Sequence, residues 1–252
     1  MLLLALLAIL PGLLISGYIY RMDSYDKEPR RLLLTCFILG IVSTIPAVFI
    51  QRYGLSLGLD ISEKAWMTAI FAFVLVAGSE ELVKFIPLRY YAYPKDTFNE
   101  PLDGIVYSVM ISMGFATLEN ILYVMEGGAS TALLRMFTAV PAHAAFAIIM
   151  GYFVGLAKFS DPQYRTQLLW KGYIGAVILH GCYNFFLFQQ NIPVLSLLAF
   201  VSLYFGIRYS RKLIIMHRQI SPFQEDESTF TYEELENDLP ARPEFDEGDE
   251  VI

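Results

Sequence analysis

The chain has 252 residues, of which 56% are apolar and only 17% are charged. Soluble domains carry about 45–50% apolar and about 25% charged residues, so this composition excludes an ordinary soluble domain and favours a membrane protein. The formal net charge of −7 comes from one end, because residues 221–252 hold 12 Asp/Glu and one Arg whereas residues 1–220 carry a net +4. No nucleic-acid partner is expected.

Long apolar segments follow one another along residues 1–209. A helix needs about 20 residues to cross a hydrocarbon core about 30 Å thick, and backbone groups in lipid must pair internally. The sequence therefore predicts an all-α, polytopic membrane helix bundle with about seven transmembrane helices. The predicted segments are 1–20, 32–50, 65–87, 103–124, 133–157, 167–189 and 193–209.

The positions of Lys and Arg predict the orientation of this bundle. The first segment lacks the basic start and cleavage site of a signal peptide, so we expect it to be retained as a helix. Loops on one side hold 14 Lys/Arg and loops on the other side hold three. Basic residues favour the cytoplasmic side, which predicts an outside N-terminus and a cytoplasmic C-terminus.

Two regions are predicted from composition. Residues 1–215 form the membrane bundle, and residues 216–252 form an acidic tail that is too polar to bury a core, so it is predicted to be a disordered cytoplasmic segment. Cys36 and Cys182 lie inside apolar segments. They indicate neither a disulfide framework nor a cysteine metal site.

Several polar side chains interrupt the apolar segments. A charge at the centre of a spanning helix costs about 2.5–3.5 kcal/mol on insertion scales, yet four predicted helices carry such groups. These groups are Glu80, Glu81 and Lys84 in the third segment, Glu119 and Asn120 in the fourth, His143 in the fifth, and His180 and Asn184 in the sixth. Their recurrence predicts one shared polar site inside the bundle.

Helical spacing supports such a site. Glu80 and Lys84 are spaced to form a pair on one helix face, and His180 and Asn184 also share a face. Simpler interpretations exist for each: a structural ion pair, or polar contacts that hold helices together. His217 lies among basic residues and is predicted to be at the surface. The Gly151-x-x-x-Gly155 spacing predicts close helix packing.

The side chains in this set suit hydrolysis. A buried glutamate, Glu80 or Glu81, would act as general base on a water, and His180 with Asn184 would stabilise an oxyanion. Alternatively, Glu and His side chains would hold a divalent metal such as zinc. The metal-ligand candidates are His143, His180, Glu81 and Glu119.

Several short motifs follow one another in order along the chain. They are Tyr25-Asp-x-Glu28-Pro29, Glu80-Glu81-x-x-Lys84, Asp103-Gly-Ile-Val-Tyr107, Gly114-Phe-Ala-Thr-Leu-Glu119-Asn120, His143 and His180-x-x-x-Asn184. This ordered set resembles that of the PrsW family, which is similar to the CAAX-protease and bacteriocin-immunity group, and the resemblance covers roughly residues 10–215.

This resemblance implies an intramembrane endopeptidase in a bacterial plasma membrane. It implies site-1 cleavage of a single-span anti-sigma factor, which activates an extracytoplasmic-function sigma factor under envelope or antimicrobial-peptide stress. By position, Glu80, Glu81, Glu119, His143, His180 and Asn184 are the catalytic candidates. Asn184 stands where family members frequently have Asp, which favours an oxyanion role there.

Two other functions are compatible with the buried polar groups. Chains of Glu and His also serve as relays in proton or ion transporters, and a polar cluster can simply fix the packing of a membrane scaffold or immunity protein. The positions of the two residues along their predicted helices place Glu119 on the outer side of the membrane midplane and Glu80 on the cytoplasmic side. A shared site requires the fold to bring them together.

Overall fold

A computed structural model describes residues 2–23, 25–189 and 193–223, and these residues form seven helices with no strand among them. We number them α1 to α7. Their bounds are Leu2–Met22 for α1, Arg30–Ser56 for α2, Ala65–Ile70 continuing to Ala92 for α3, Pro101–Phe137 for α4, Ala139–Phe159 for α5, Pro162–Leu187 for α6 and Pro193–Gln219 for α7. The all-α prediction is confirmed.

Three stretches are long and apolar enough to cross a membrane, within the part of the chain that the structure describes. They are Leu4–Met22, Arg30–Ser56 and Pro101–Phe159, the last of which comprises α4 and α5. The predicted count of seven spanning helices and the predicted orientation stay predictions. The acidic tail from residue 224 onwards lies outside the described residues.

The third helix changes its winding three times along its length. It is α-helical over Ala65–Ile70, π-helical over Phe71–Gly78, α-helical again over Ser79–Pro87 and π-helical over Leu88–Ala92. Wide π turns are rare and are found frequently at functional sites. Here they flank the α-helical turn that carries Glu80, Glu81 and Lys84.

The fourth helix reverses its direction near its end. Glu119 and Arg135 are 16 residues apart, and an uninterrupted helix would separate them by about 24 Å. Instead their side chains are in contact, because Gly128 has φ +68° and ψ −154° inside the helical stretch. A glycine adopts this left-handed conformation without a Cβ clash. The stretch between the predicted segments 103–124 and 133–157 is therefore mostly helical and folds back towards the bundle.

Helices α4 and α5 form the centre of the bundle and approach each other through glycines. A Cβ at Gly151 would overlap the backbone oxygen of Gly104, and one at Gly155 would overlap that of Pro101. The close packing predicted from the Gly151 and Gly155 spacing is confirmed. Small residues permit such contact between membrane helices.

We expect Gly151→Ala to lower the free energy of unfolding by about 1–3 kcal/mol, because overpacking against backbone cannot be relieved by a side-chain movement. Gly17→Ala is the matched control, since a Cβ at Gly17 meets nothing within 4 Å. Thermal unfolding of the purified protein in detergent measures both. Equal stability of the two variants would contradict the close approach of α4 and α5.

The prediction for His217 is wrong. Its side chain is fully buried, and its ring stacks on that of Tyr152 with centroids 4.3 Å apart. Sequence reasoning failed because α7 does not end near residue 209 but continues to Gln219, which carries His217 back against α5. The last helix thus passes the predicted boundary between bundle and tail at residue 215.

Candidate active site

The buried polar side chains of α3, α4, α5 and α6 form one connected network. Glu80, Glu81, Lys84, His143 and His180 are each at most 4% exposed. Glu119 joins them through a contact of 3.0 Å between its Oε2 and Nε2 of His143. The structure therefore brings Glu119 to the predicted site, although crude helix depths had placed it on the other side of the midplane.

The two adjacent glutamates have different surroundings. Glu81 Oε1 accepts hydrogen bonds from Lys84 Nζ and from His180 Nδ1, each at 2.8 Å. The Glu80–Lys84 pair expected from spacing is present but longer, at 3.6 Å. Glu80 Oε1 accepts a hydrogen bond of 3.0 Å from Gln51 Nε2, and its Oε2 is buried with no hydrogen-bond partner. The Oε2 atom of Glu81 is also buried without a hydrogen-bond partner, so the two glutamates differ in position instead: Glu80 lines the cavity described below, and Glu81 holds Lys84 and His180.

The hydrogen-bond partners assign the histidine tautomers. Lys84 Nζ lies 3.1 Å from His143 Nδ1 and can only donate, so His143 donates from Nε2 to Glu119. His180 donates from Nδ1 to Glu81, which leaves its Nε2 directed at Glu80 Oε2, 4.0 Å away. The His180 ring is fixed further by stacking on Phe146, with centroids 4.5 Å apart.

A cavity of about 380 Å³ opens beside this network. Its lining combines apolar side chains with Glu80, Glu119, His143, His180 and Asn184. No hydrogen bond from the described residues engages the Asn184 side chain, so its amide is available to a ligand. The lining also includes residues at the C-terminal ends of α2 and α6 and at the N-terminal end of α5. The cavity therefore lies towards the end of the bundle that was predicted to be outside.

Sequence reasoning missed two residues of the network, Gln51 and Arg135. Arg135 donates to Glu119 Oε2 at 2.6 Å and to Asn120 Oδ1 at 2.9 Å, and Asn120 in turn donates to the backbone oxygen of Ala8 at 3.0 Å. Arg135 stands near the start of the predicted segment 133–157, and nothing in the sequence around it indicates this role. Its position depends on the chain reversal at Gly128.

The positive and negative charges of the network do not cancel. Lys84 and Arg135 face the three carboxylates of Glu80, Glu81 and Glu119, which leaves one negative charge if both histidines are neutral. Buried charge is costly unless it is compensated. A bound cation or a proton taken up by the network would supply that compensation.

The donor atoms present fit a divalent metal. Glu80, His143 and His180 each offer a ligand atom within 4.8 Å of the other two, and two histidines with one glutamate are a set that catalytic zinc uses. Glu81 orients His180 from its other ring nitrogen, as carboxylates do beside metal-binding histidines. The structure thus groups Glu80 with the two predicted histidines, whereas the other candidates, Glu81 and Glu119, are engaged by cationic side chains.

The comparisons with known proteins agree with this geometry. The family model described as "PrsW family intramembrane metalloprotease" matches residues 28–207. The chain belongs to the PrsW family. Protease PrsW of Geobacillus kaustophilus is 39% identical over 181 residues, which cover 72% of this chain and 78% of that protein. Protease PrsW of Bacillus subtilis is 37% identical over 207 residues, which cover 81% of this chain and 92% of that protein. No solved structure matches.

Membership in the PrsW family makes the chain an intramembrane protease in a lipid bilayer. It favours hydrolysis over the transporter and scaffold alternatives, because the curated relatives are named proteases. The matched region contains Glu80, Glu81, Glu119, His143, His180 and Asn184.

We expect Arg135→Met to reduce PrsW-type cleavage about tenfold or more, because Glu119 would lose its strongest partner and His143 its fixed orientation. An ion pair in low dielectric is worth far more than one at a surface. Arg135→Lys should restore part of the activity. Cleavage rate at saturating substrate measures the effect, and wild-type rates for Arg135→Met would contradict a positioning role.

Proposed function

We propose that this PrsW-family protease performs site-1 cleavage of a single-span anti-sigma factor in a bacterial plasma membrane. The cut would lead to activation of an extracytoplasmic-function sigma factor under envelope or antimicrobial-peptide stress. The position of the cavity supports this proposal. It opens towards the predicted outer end of the bundle, where the first cut would separate an extracytoplasmic part of the substrate.

One observation carries the proposed chemistry: Glu80 Oε2 and His180 Nε2 face each other at 4.0 Å beside the cavity. A water placed between them would be within hydrogen-bonding reach of both atoms. Glu80 accepts the proton of this water, since its other oxygen is held by Gln51 and Oε2 makes no hydrogen bond, with Lys84 Nζ at the longer ion-pair distance of 3.6 Å. The proton then passes from Glu80 to the leaving amine as the peptide bond breaks.

The developing oxyanion needs hydrogen-bond donors. Asn184 supplies its amide from the cavity lining. His180 contributes from Nε2 when it is an imidazolium, with Nδ1 held by Glu81. These two groups belong to one helix, α6, and lie i, i+4 on the same face.

Glu119 and His143 act as positioning residues in this proposal. Glu119 links His143 to Arg135, and His143 lies against Lys84. Where a divalent metal such as zinc is used, Glu80, His143 and His180 would hold it, and it would supply Lewis-acid activation of the attacking water. His143 would then exchange one of its present hydrogen bonds for the metal.

The test is co-expression with a tagged single-span anti-sigma factor from the same genome. A shortened, membrane-bound product is expected with wild type and not with His180→Ala at equal protein levels. Purified wild type with and without a chelator then tests the metal. Wild-type processing by His180→Ala would contradict the proposed site. A lack of product with every single-span substrate would contradict the proposed substrate class.

A further inference from the structure

A second group of buried carboxylates lies at the end of the bundle opposite the active-site cavity. Asp23 follows α1, Glu28 precedes α2, and Glu100 and Asp103 begin α4. All four are at most 3% exposed. Under the predicted orientation this end is cytoplasmic.

Hydrogen bonds fix one oxygen of each of three carboxylates. Asp103 Oδ2 accepts the backbone N–H groups of Asn99 and Glu100, both at 2.8 Å. Asp23 Oδ2 accepts the backbone N–H of Glu28 at 3.1 Å. Glu100 Oε2 accepts the hydroxyl of a serine that follows α7. The three carboxylates are therefore held in fixed positions by the backbone and by a hydroxyl.

The second oxygen of each of these carboxylates has no hydrogen-bond partner. Asp23 Oδ1, Glu100 Oε1 and Asp103 Oδ1 are all buried and accept no hydrogen bond from an N–H or hydroxyl donor, and the Asp103 carboxylate also lies against that of Glu28. The three residues each place a carboxylate oxygen within 4.8 Å of the other two. Buried polar atoms normally find partners, and three unpartnered carboxylate oxygens in one cluster point to a ligand that accepts electron pairs.

The surroundings supply little positive charge. Lys27 acts on Asp23, Arg218 acts on Glu100 and Lys158 acts on Asp103, and for Asp23 and Glu100 burial has the larger effect on the pKa. Burial raises the pKa of Asp23 and of Glu100 above their ordinary values, and it raises the pKa of Glu28 to about 7. The pKa values are raised because the charged form of a carboxyl group is destabilised by burial and by neighbouring carboxylates.

We propose that Asp23, Glu100 and Asp103 bind a hard divalent cation, Mg²⁺ or Ca²⁺. Carboxylate oxygens are the ligands that these ions prefer, and the cluster offers no histidine or cysteine that would favour a softer metal. The ion would tie the end of α1 to the start of α4. Through the hydrogen bond from Ser221 to Glu100, it would also fasten the segment that leads into the acidic tail.

Binding of Mn²⁺, followed by electron paramagnetic resonance, is the direct test on the purified full chain. A His180→Ala background removes the active-site histidine, so that the remaining binding reports on this cluster. We expect one saturable Mn²⁺ site there, competed by Mg²⁺ or Ca²⁺. Adding Asp103→Asn should weaken it at least tenfold. Adding Asp96→Asn, an exposed carboxylate nearby, should leave it unchanged.

Thermal unfolding provides a second readout that distinguishes ion binding from a purely structural role. In chelator, Asp103→Asn should unfold at the wild-type temperature or above it, because one of several like charges is gone. Added Mg²⁺ or Ca²⁺ should then raise the unfolding temperature of wild type and not of the variant. Asp23→Asn repeats the test if Asp103→Asn does not purify. No saturable Mn²⁺ binding, or equal binding by the variants, would overturn the proposal.

Discussion

Glu80→Gln is expected to reduce peptide-bond cleavage by about 10²–10⁴-fold, which is the usual contribution of a general base. Gln has the same shape and cannot accept the proton of the attacking water. The hydrogen bond from Gln51 to the first oxygen can persist, so the bundle should still insert and purify. The measurement is the initial rate of substrate cleavage in proteoliposomes at equal enzyme content.

Glu63→Gln is the matched control for this experiment. Glu63 is an exposed glutamate in the segment before α3, and it contacts none of the network residues. We expect wild-type cleavage from it. If Glu80→Gln cleaved at a wild-type rate, Glu80 would be neither base nor metal ligand, and the proposed mechanism would fail.

Lys84→Met is expected to lower the free energy of unfolding by about 3–5 kcal/mol, the cost of breaking a buried ion pair by removal of one partner. Lys84 lies 2.8 Å from Glu81 and 3.6 Å from Glu80, and its removal leaves both carboxylates in an apolar bundle without their nearest cation. The variant should express poorly and unfold at a lower temperature in detergent.

A double variant separates stability from catalysis. Combining Lys84→Met with Glu81→Leu removes a positive and a negative charge together, and replacing a buried pair by apolar groups is often neutral for stability. We expect a thermal stability between those of Lys84→Met and wild type, because Glu80 still lacks its cation, and little cleavage, because His180 loses its orienting carboxylate. A double variant as unstable as Lys84→Met alone would contradict the account of the ion pair.

The helical architecture was predictable because backbone N–H and C=O groups in lipid must form hydrogen bonds within the chain. Long apolar segments with internal Glu, His and Asn residues predict spanning helices that turn one polar patch inwards. The glycine spacing around Gly151 likewise predicted a close helix contact. The ends of the helices were less predictable, as the burial of His217 on the extended α7 shows.

The roles within the site could not be derived from spacing alone. Glu80 and Glu81 are adjacent and each has one oxygen without a hydrogen-bond partner, and only the fold shows that Glu80 lines the cavity whereas Glu81 binds Lys84 and His180. The approach of Glu119 to Arg135 depends on one left-handed residue, Gly128, which a periodicity argument does not detect. Gln51 lies on α2, far from the others in sequence, and its contact is purely tertiary.

The most direct test of the central claim uses purified wild type and Glu80→Gln, each reconstituted with a tagged single-span anti-sigma factor. Mass spectrometry of the products identifies the bond that is cut. We expect wild type to make a single cut in the part of the substrate's transmembrane helix near the outer membrane surface, and we expect Glu80→Gln not to make it. Equal cleavage by both proteins, or a cut near the cytoplasmic surface, would contradict the central claim.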